Sequence, residues 1–397
     1  MTPRDIACLL IPILMLTGCF PSADPTLGVV TEQPEDSATS RPGGTQLSSS
    51  DAYLFLVTTS TPITYDLARI PEACLLRSSP CKELQTIHHF PTESFTPSSL
   101  SPFHWSPDGS QALILNAYTS ELLRLNPSVA EISQVVASFH AITDQLAWSP
   151  DGDWVALAAE GPDPYTSRVV MLNSQTDEVW ELLEDLEGIK FPLGWISAHE
   201  LVFLQVRYEY PDGDASQKKT IAGQDLLKVN TEVLAYERLV GSLDFRGDSL
   251  PAVSPDGTTI ATTVVRSGKA VLDVYSSAGT MLRSFGAYSV PVWSPDGRRI
   301  AATLHEGDGY SVAILDPVGD EERKLLRLDS PPLVIWSPNG VDLAITSRAP
   351  NEQGSGETLI LYRVSSAGGE TQVTDLGKVV GAGYEVLSIS FRPGTLP

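Results

Sequence analysis

The chain has 397 residues, enough for one large repeat domain or for two or three domains of average size. Hydrophobic residues make up 42% of the chain and charged residues 19%, so the composition supplies ample apolar area for a core. A formal net charge of −23 would repel a phosphate backbone, and nucleic-acid binding is therefore not expected. The simplest role of this acidity is solubility, and a preference for cationic partners is the sharper alternative.

A short apolar segment, residues 6–16, begins the chain. It is too short to cross a bilayer as a helix, but it has the length found in signal peptides. The segment closes with the letters LTGC at Cys19, which resemble the lipobox of bacterial lipoproteins. The resemblance implies a signal peptide over residues 1–18 and lipidation of Cys19. An ordinary secretory signal with an incidental cysteine is the alternative.

A polar segment follows. Residues 19–50 are rich in Pro, Ser, Thr, Gly and Asp and contain few large apolar side chains. Such a segment cannot bury enough surface to offset the entropy of ordering it. We therefore predict a flexible tether between the bacterial cell membrane, or the outer membrane if one exists, and an extracytoplasmic folded body. The lipid is then the protein's only contact with the membrane.

From Asp51 onward one short motif recurs, and its most complete form reads WSPDG. The steps between copies are 40 to 58 residues, which is typical of propeller blades. The position usually taken by serine falls at Ser106, Ser149, Ile196, Ser254, Ser294, Ser337 and Arg392.

Each residue of the motif suits a tight turn between two strands. Pro fixes φ for a type I turn, Ser or Asp can bond the turn backbone, and Gly takes the position with positive φ. Apolar runs flank the turn, and two alternating runs follow, so each repeat predicts four strands. We expect the tryptophans before the turns to fill space between blades, an aromatic ligand cage being the alternative. They are Trp105, Trp148, Trp195, Trp293 and Trp336.

The repeats also predict how the ring closes. Six units with a turn begin at residues 103, 146, 193, 251, 291 and 334. Residues 52–57 match a second strand with no first strand, and residues 385–394 match a first strand with nothing after it. Together they make one further blade. We therefore predict an all-β fold over residues 51–397, a seven-bladed β-propeller with four strands per blade. Its C-terminal strand would pair in the N-terminal blade and leave no open edge.

Five close copies of the turn resemble those of TolB-like and WD-repeat-like propellers, over about residues 52–397. The resemblance implies a binding or scaffolding module, which we expect to be a monomer acting on an unknown protein or envelope ligand. Two departures from the pattern stand out. Residues 196–199 lack both the Pro and the Gly of the turn, and Val253 stands where Trp is usual.

Two cysteines, Cys74 and Cys81, remain after the lipid site and the signal peptide are set aside. In an oxidising compartment we predict a disulfide between them, contributing ~2–3 kcal/mol through the short loop it closes. We expect it to brace the blade that is not covalently continuous. Metal binding and free thiols are weaker alternatives, since no second Cys or His pair lies nearby in the sequence.

The sequence contains no motif for a serine hydrolase, a zinc protease, a phosphate loop or a structural zinc site. We therefore predict no catalytic residue, metal or cofactor. The segment 305–309 could hold a cation but is more simply a polar turn. An enzyme acting on glycans or other envelope substrates through the central channel remains the alternative, because carboxylates dispersed over several blades leave no motif.

The ligand face is expected where the loops between second and third strands meet the inter-blade loops. The longest such loop, residues 207–224, also carries Lys218 and Lys219. Exposed aromatic and basic residues are favoured at contact sites, although a long loop that is merely tolerated is the alternative. The candidate contact residues are Tyr118, Tyr165, Arg207, Tyr208, Tyr210 and Tyr310.

Overall fold

The computed structural model describes residues 51–393 with gaps at 60, 77–78, 92–94, 96–102, 117–118, 136–140, 211–217, 246–248, 338 and 352–355. The predicted signal peptide, Cys19 and the tether lie outside the described residues. Within them, the chain forms seven antiparallel sheets of four strands each, arranged as a propeller, and the predicted fold class is confirmed. None of the helices in this part of the chain is long and apolar enough to cross a membrane.

The seven sheets are numbered here as blades in chain order, beginning with the blade that contains both ends of the propeller. Blade 1 comprises β28 (Tyr384–Phe391), β1 (Asp51–Thr58), β2 (Thr64–Pro71) and β3 (Gln85–Pro91). Blade 2 comprises β4 (Phe103–Trp105), β5 (Ala112–Asn116), β6 (Glu121–Asn126) and β7 (Glu131–Gln134). Blade 3 comprises β8 (Ala141–Trp148), β9 (Trp154–Glu160), β10 (Ser167–Asn173) and β11 (Val179–Leu182).

The remaining blades follow the same order without interruption. Blade 4 comprises β12 (Ile189–Ser197), β13 (Glu200–Glu209), β14 (Thr220–Asn230) and β15 (Ala235–Val240). Blade 5 comprises β16 (Ala252–Val253), β17 (Thr259–Arg266), β18 (Lys269–Ser276) and β19 (Met281–Phe285). Blade 6 comprises β20 (Tyr288–Trp293), β21 (Ile300–Glu306), β22 (Gly309–Leu315) and β23 (Glu322–Leu328). Blade 7 comprises β24 (Leu333–Trp336), β25 (Asp342–Pro350), β26 (Glu357–Ser365) and β27 (Gln372–Asp375).

The repeated turn has the geometry that its residues predict. In blade 2 the Gly109 N–H donates to the Ser106 carbonyl oxygen over 2.9 Å, and Ser106 Oγ donates to Asp108 Oδ1 over 2.7 Å. Gly109 has φ of +66°, in the region that favours glycine. The same pattern recurs at Ser149, Ser254, Ser294 and Ser337, the last with Asn339 in place of Asp.

The repeated tryptophans connect five of the seven blades to the blade before them. Trp148 Nε1 donates to the His104 carbonyl oxygen over 3.0 Å, and Trp195 Nε1 donates to that of Ala147 over 3.0 Å. Trp293 and Trp336 do the same to Ala252 and Val292, and Trp105 donates to the Ser390 hydroxyl. All five tryptophans are buried. They therefore fill space between blades, as expected, and also satisfy a buried polar group there.

The ring closes through the C-terminal strand. β28 pairs antiparallel with β1, from Ala52 opposite Phe391 to Thr58 opposite Tyr384. Beyond the strand, Arg392 Nε donates to the Gly109 carbonyl oxygen of blade 2 over 2.6 Å. The last strand thus supplies both a full edge for blade 1 and a contact with the next turn.

A second contact braces the same junction. The loop after β2 begins with a short 3-10 helix, Glu72–Leu76, and contains the Cys74–Cys81 disulfide. It packs against helix α1 (Leu376–Val380), which leads into β28. The Cys81 N–H donates to the Val379 carbonyl oxygen over 2.7 Å. The disulfide-containing loop of the first blade therefore holds the segment that closes the ring.

The two departures from the repeat lie at one junction, between blades 4 and 5. The altered turn of blade 4 shortens to the two residues between Ser197 and Glu200. On the other side, Val253 offers no indole N–H to blade 4. A cavity of about 430 Å³ opens beside the altered turn, and Ile196, Lys228 and Gly257 contribute to its wall.

Candidate functional site

The longest hairpin of the described chain carries three of the six predicted contact residues, Arg207, Tyr208 and Tyr210. β13 has 10 residues and β14 has 11, and they pair from Glu200 opposite Asn230 to Glu209 opposite Thr220. A strand irregularity lies between Arg207 and Tyr208. The hairpin therefore brings Tyr208 and Tyr210 to the face where second strands turn into third strands.

Three tyrosines and one lysine meet there, across the interface between blades 3 and 4. The ring centroids of Tyr165 and Tyr208 lie 5.3 Å apart with planes inclined by 53°. Lys219 Nζ lies 4.8 Å from the centroid of the Tyr165 ring and 5.1 Å from that of Tyr210. We call Tyr165, Tyr208, Tyr210 and Lys219 the tyrosine cluster. Tyr165 comes from blade 3 and the other three residues from blade 4.

Local hydrogen bonds position the rings. Asp163 Oδ1 accepts the backbone N–H of Tyr165 over 2.7 Å, and the Asp163 carbonyl oxygen accepts that of Thr166 over 3.2 Å. Tyr208 is partly buried, and this burial, with a smaller effect of Tyr165, raises the pKa of its hydroxyl. Tyr210 is 38% exposed. The cluster thus has a partly buried base at Tyr208 and an exposed rim at Tyr210.

Arg207 lies in the same hairpin but is engaged in an ion pair. Its Nη2 lies 2.9 Å from Oδ2 of Asp225, a carboxylate that is almost fully buried. Asp225 Oδ1 also accepts the backbone N–H of Ser242 over 2.9 Å. A Cβ at Gly223 would lie 2.6 Å from Arg207 Nη2, so glycine makes room for the guanidinium. Arg207 therefore stabilises the base of the hairpin, and its positive charge is compensated.

A buried lysine lies at the same interface of blades 3 and 4. Lys190 in β12 is 1% exposed, and its Nζ donates to the carbonyl oxygen of Leu186. Its backbone N–H donates to Ser167 Oγ of blade 3 over 2.7 Å. Burial lowers the pKa of Lys190 to about 8. Sequence reasoning did not single out this residue, and its only signal is one lysine inside an apolar run.

The other predicted residues do not join the cluster. Tyr310 lies in blade 6, where its ring packs against His305 with centroids 4.9 Å apart. Tyr118 lies outside the described residues. In the segment 305–309, Glu306 pairs with Lys324 and Asp308 pairs with Arg327. This segment is thus the polar turn of a hairpin whose carboxylates are matched by the protein's own cations.

One group of side chains in the described ranges has the types and spacing of metal ligands, namely Cys74, Cys81 and Glu83. The two sulfur atoms lie 2.15 Å apart, joined as a disulfide, and so are not thiolates. A structural disulfide at the ring junction is therefore the arrangement that this structure shows.

The carboxyl groups with clearly shifted pKa values lie in turns and surface hairpins. Hydrogen bonds from Lys324 lower the pKa of Glu306, and backbone N–H groups, that of Gly319 first, lower the pKa of Asp316. At Asp108 and Asp296 burial raises the pKa but is outweighed by hydrogen bonds within the repeat turn. Each of these shifts in the described chain is downward, whereas a general acid at neutral pH needs an upward one.

The fold and the turns define the class of this protein as a seven-bladed β-propeller of four-stranded blades, closed by its C-terminal strand. No family model matches the chain. A segment of 118 residues is 34% identical to the Tol-Pal system protein TolB of Anaeromyxobacter dehalogenans, and covers 29% of this chain and 25% of that protein. The match thus spans about a quarter of the curated relative. Over this segment and in its repeated turns, the propeller is similar to that of TolB.

Several solved structures are similar to the chain. The match to TolB from Acinetobacter baumannii is 16% identical in sequence, covers 87% of this chain and 67% of the TolB chain, and has a TM-score of 0.48. The match to an oligogalacturonate lyase from Vibrio parahaemolyticus is 12% identical in sequence, covers 82% of this chain and 84% of the lyase chain, and has a TM-score of 0.54. An oligogalacturonate lyase in complex with manganese is 14% identical, covers 81% and 83%, and has a TM-score of 0.53. At these identities the lyases show a common fold alone.

Proposed function

We propose that this TolB-like propeller is an extracytoplasmic binding or scaffolding module, anchored to a membrane through Cys19, which contacts a protein partner through the tyrosine cluster. The observation that carries the proposal is the cluster itself. Three tyrosines and a lysine converge from two blades at one end of the longest hairpin. We expect the module to act as a monomer.

The cluster has the physical properties of a contact site. Tyrosine supplies a large, partly apolar surface at a low cost in side-chain entropy, and it is enriched among residues that dominate binding energy. Two of the rings stand on regular secondary structure or directly beside it, because Tyr208 lies within β13 and Tyr165 lies two residues before β10. A surface held by paired strands loses little freedom on binding, which favours affinity.

The anchor and the tether support an extracytoplasmic scaffold. A flexible chain of the tether's length has a root-mean-square span of about 30 Å. The propeller would therefore search a shell close to the membrane, where a second protein of the envelope would be at high effective concentration. Mass spectrometry of the mature N-terminus tests the anchor. A diacylated or triacylated Cys19 is expected, and an unmodified N-terminus elsewhere would contradict it.

Site-specific photo-crosslinking in intact cells tests the contact surface. A photoreactive amino acid replaces Tyr210 in the cluster, and a second variant carries it at Tyr236, which is 53% exposed on the outer strand β15. We expect a discrete crosslinked partner from position 210 and none from position 236. The crosslink at 210 should disappear when Tyr165 and Tyr208 are both replaced by alanine. Equal crosslinking from both positions would contradict a specific surface.

The alternative of an enzyme acting on envelope glycans is supported only by the fold shared with the lyases. The clearly shifted carboxyl groups of the described chain lie in turns and surface hairpins, and all of their pKa values are lowered, which favours binding over acid–base chemistry. Incubation with oligogalacturonate, followed by ultraviolet absorbance of unsaturated product, separates the two. Turnover by the purified propeller would contradict a pure binding role.

A further inference from the structure

The tyrosine cluster already holds an ammonium group that belongs to the protein itself. Lys219 Nζ lies 4.8 Å and 5.1 Å from the ring centroids of Tyr165 and Tyr210. A cation within about 6 Å of an aromatic centroid is attracted by the negative face of the ring. Two rings thus share one ammonium, and the contact between the rings of Tyr165 and Tyr208 completes the group.

We propose that the tyrosine cluster is a binding site for alkylammonium groups, in which Lys219 occupies the position that a ligand's ammonium takes. The proposal deepens the proposed function and rests on it for the identity of the partner, which would present a lysine side chain. The chemistry of the site itself can be tested without any partner. Lys219 would then act as an internal competitor that a ligand displaces.

The contacts of Lys219 make such displacement feasible. The ammonium of Lys228, in the same blade, is held by carboxylates. Its Nζ lies 2.9 Å from a carboxylate oxygen of both Glu200 and Glu237. The described contacts of Lys219 are with aromatic rings instead. Among the described residues, exchange of one ammonium for another at the rings therefore breaks no ion pair of Lys219, and it returns this side chain to water.

Charge also favours a cationic ligand at this position. The protein has a formal net charge of −23, so its overall field attracts cations. Two acidic residues adjoin the rings in the sequence. Asp163 holds the backbone of Tyr165, and the exposed Glu209 lies between Tyr208 and Tyr210. The nearby guanidinium of Arg207 is paired with Asp225 and adds little net repulsion.

Removal of the internal competitor provides the test. Lys219→Gln empties the site, and Lys218→Gln, a change at the adjacent exposed lysine, is the matched control. The probes are choline, n-butylammonium as an analogue of the lysine side chain, and 3,3-dimethylbutan-1-ol, a neutral molecule with the shape of choline. Binding is measured by ligand-detected NMR and by calorimetry. Circular dichroism melting confirms that each variant is folded.

We expect choline and n-butylammonium to bind Lys219→Gln about tenfold more tightly than the wild type or Lys218→Gln. On Lys219→Gln the neutral analogue should bind at least about tenfold more weakly than choline, because it lacks the charge that the rings attract. Adding Tyr165→Leu, which keeps an apolar side chain but removes a ring, should abolish choline binding. Adding Tyr310→Leu in blade 6 should leave it unchanged.

Two results would overturn the proposal. Equal binding of choline and its neutral analogue would show an apolar surface without cation recognition. Equal choline affinity of Lys219→Gln and the wild type would show that Lys219 does not occupy the ligand position. The outcomes remain separable from the proposed function. If choline bound but position 210 gave no crosslinked partner, the ammonium site would stand and the proposed docking role would be refuted. If position 210 gave a crosslinked partner but choline did not bind, only the ammonium chemistry would be refuted.

Discussion

Ring closure by β28 makes a quantitative prediction at Ile389. This side chain is fully buried, lies opposite Leu54 of β1, and belongs to the core shared by blades 7 and 1. Ile389→Ala removes buried methyl groups and leaves a cavity, which costs about 3 kcal/mol of folding free energy. For a propeller of this size the unfolding entropy is about 0.7 kcal/mol per kelvin, so the Tm should fall by roughly 4 °C.

The assay is thermal and urea unfolding followed by circular dichroism, with an isoleucine outside the core as the control. Ile221 is 54% exposed in β14, so Ile221→Ala makes the same chemical change and should cost less than about 0.5 kcal/mol. If Ile389→Ala and Ile221→Ala unfolded at the same temperature, the last strand would not contribute to the core. The reasoning about closure would then be wrong.

Deletion of the strand gives a larger effect. A chain ending at Gly383 loses the buried side chains of Val386, Ile389 and Phe391. At ~1.5–3 kcal/mol for each fully buried apolar side chain, their sum is about 5–9 kcal/mol. The whole folding free energy of a domain is about 5–15 kcal/mol. The shortened chain should therefore lose its cooperative transition, and a melting curve like that of the full chain would contradict closure.

Three further predictions concern the junction, the tryptophans and a buried histidine. Replacing Cys74 and Cys81 by serine should cost about 2.5 kcal/mol of folding free energy, because the unfolded chain gains loop-closure entropy. The urea midpoint of this variant should fall to that of the reduced wild type. A midpoint equal to that of the oxidised wild type would refute the bracing role. Trp293→Phe keeps an aromatic ring but removes the N–H donated to the Ala252 carbonyl oxygen and part of the buried indole, so the free energy of unfolding should fall by at least about 1 kcal/mol. An unchanged free energy of unfolding would show that the tryptophan does not stabilise the contact between blades. Burial lowers the pKa of His104 from 6.5 to about 4, so between these values the unfolded chain binds the extra proton. The folding free energy that depends on neutral His104 is therefore fully present above pH 6.5. It falls by up to about 3 kcal/mol as the pH decreases towards 4. The free energy of unfolding is measured in urea at several pH values, and for His104→Leu it should lack this part of the pH dependence. The same change of free energy with pH in the variant and the wild type would contradict the prediction.

The sequence by itself was sufficient to predict the number of blades and the way in which the ring closes. The reason is local: Ser, Pro and Gly restrict the backbone at each turn, so the copies mark the blades whatever lies between them. The unmatched fragments at 52–57 and 385–394 could complete a blade only with each other. The Cys74–Cys81 pairing followed from composition, because only two cysteines remained for the folded domain.

Only the tertiary structure decided which side chains meet. Tyr165 and Tyr208 belong to consecutive blades, and that adjacency was the one available signal that they could come together. Tyr310 was also predicted from a position between a second and a third strand, yet it lies in blade 6 against His305. The position of Lys219 over two rings and the burial of His104 had no signal in the sequence, and the only signal for Lys190 was a single lysine inside an apolar run. Strand periodicity determines the face on which a residue lies, whereas contacts across an interface depend on how neighbouring blades twist and pack.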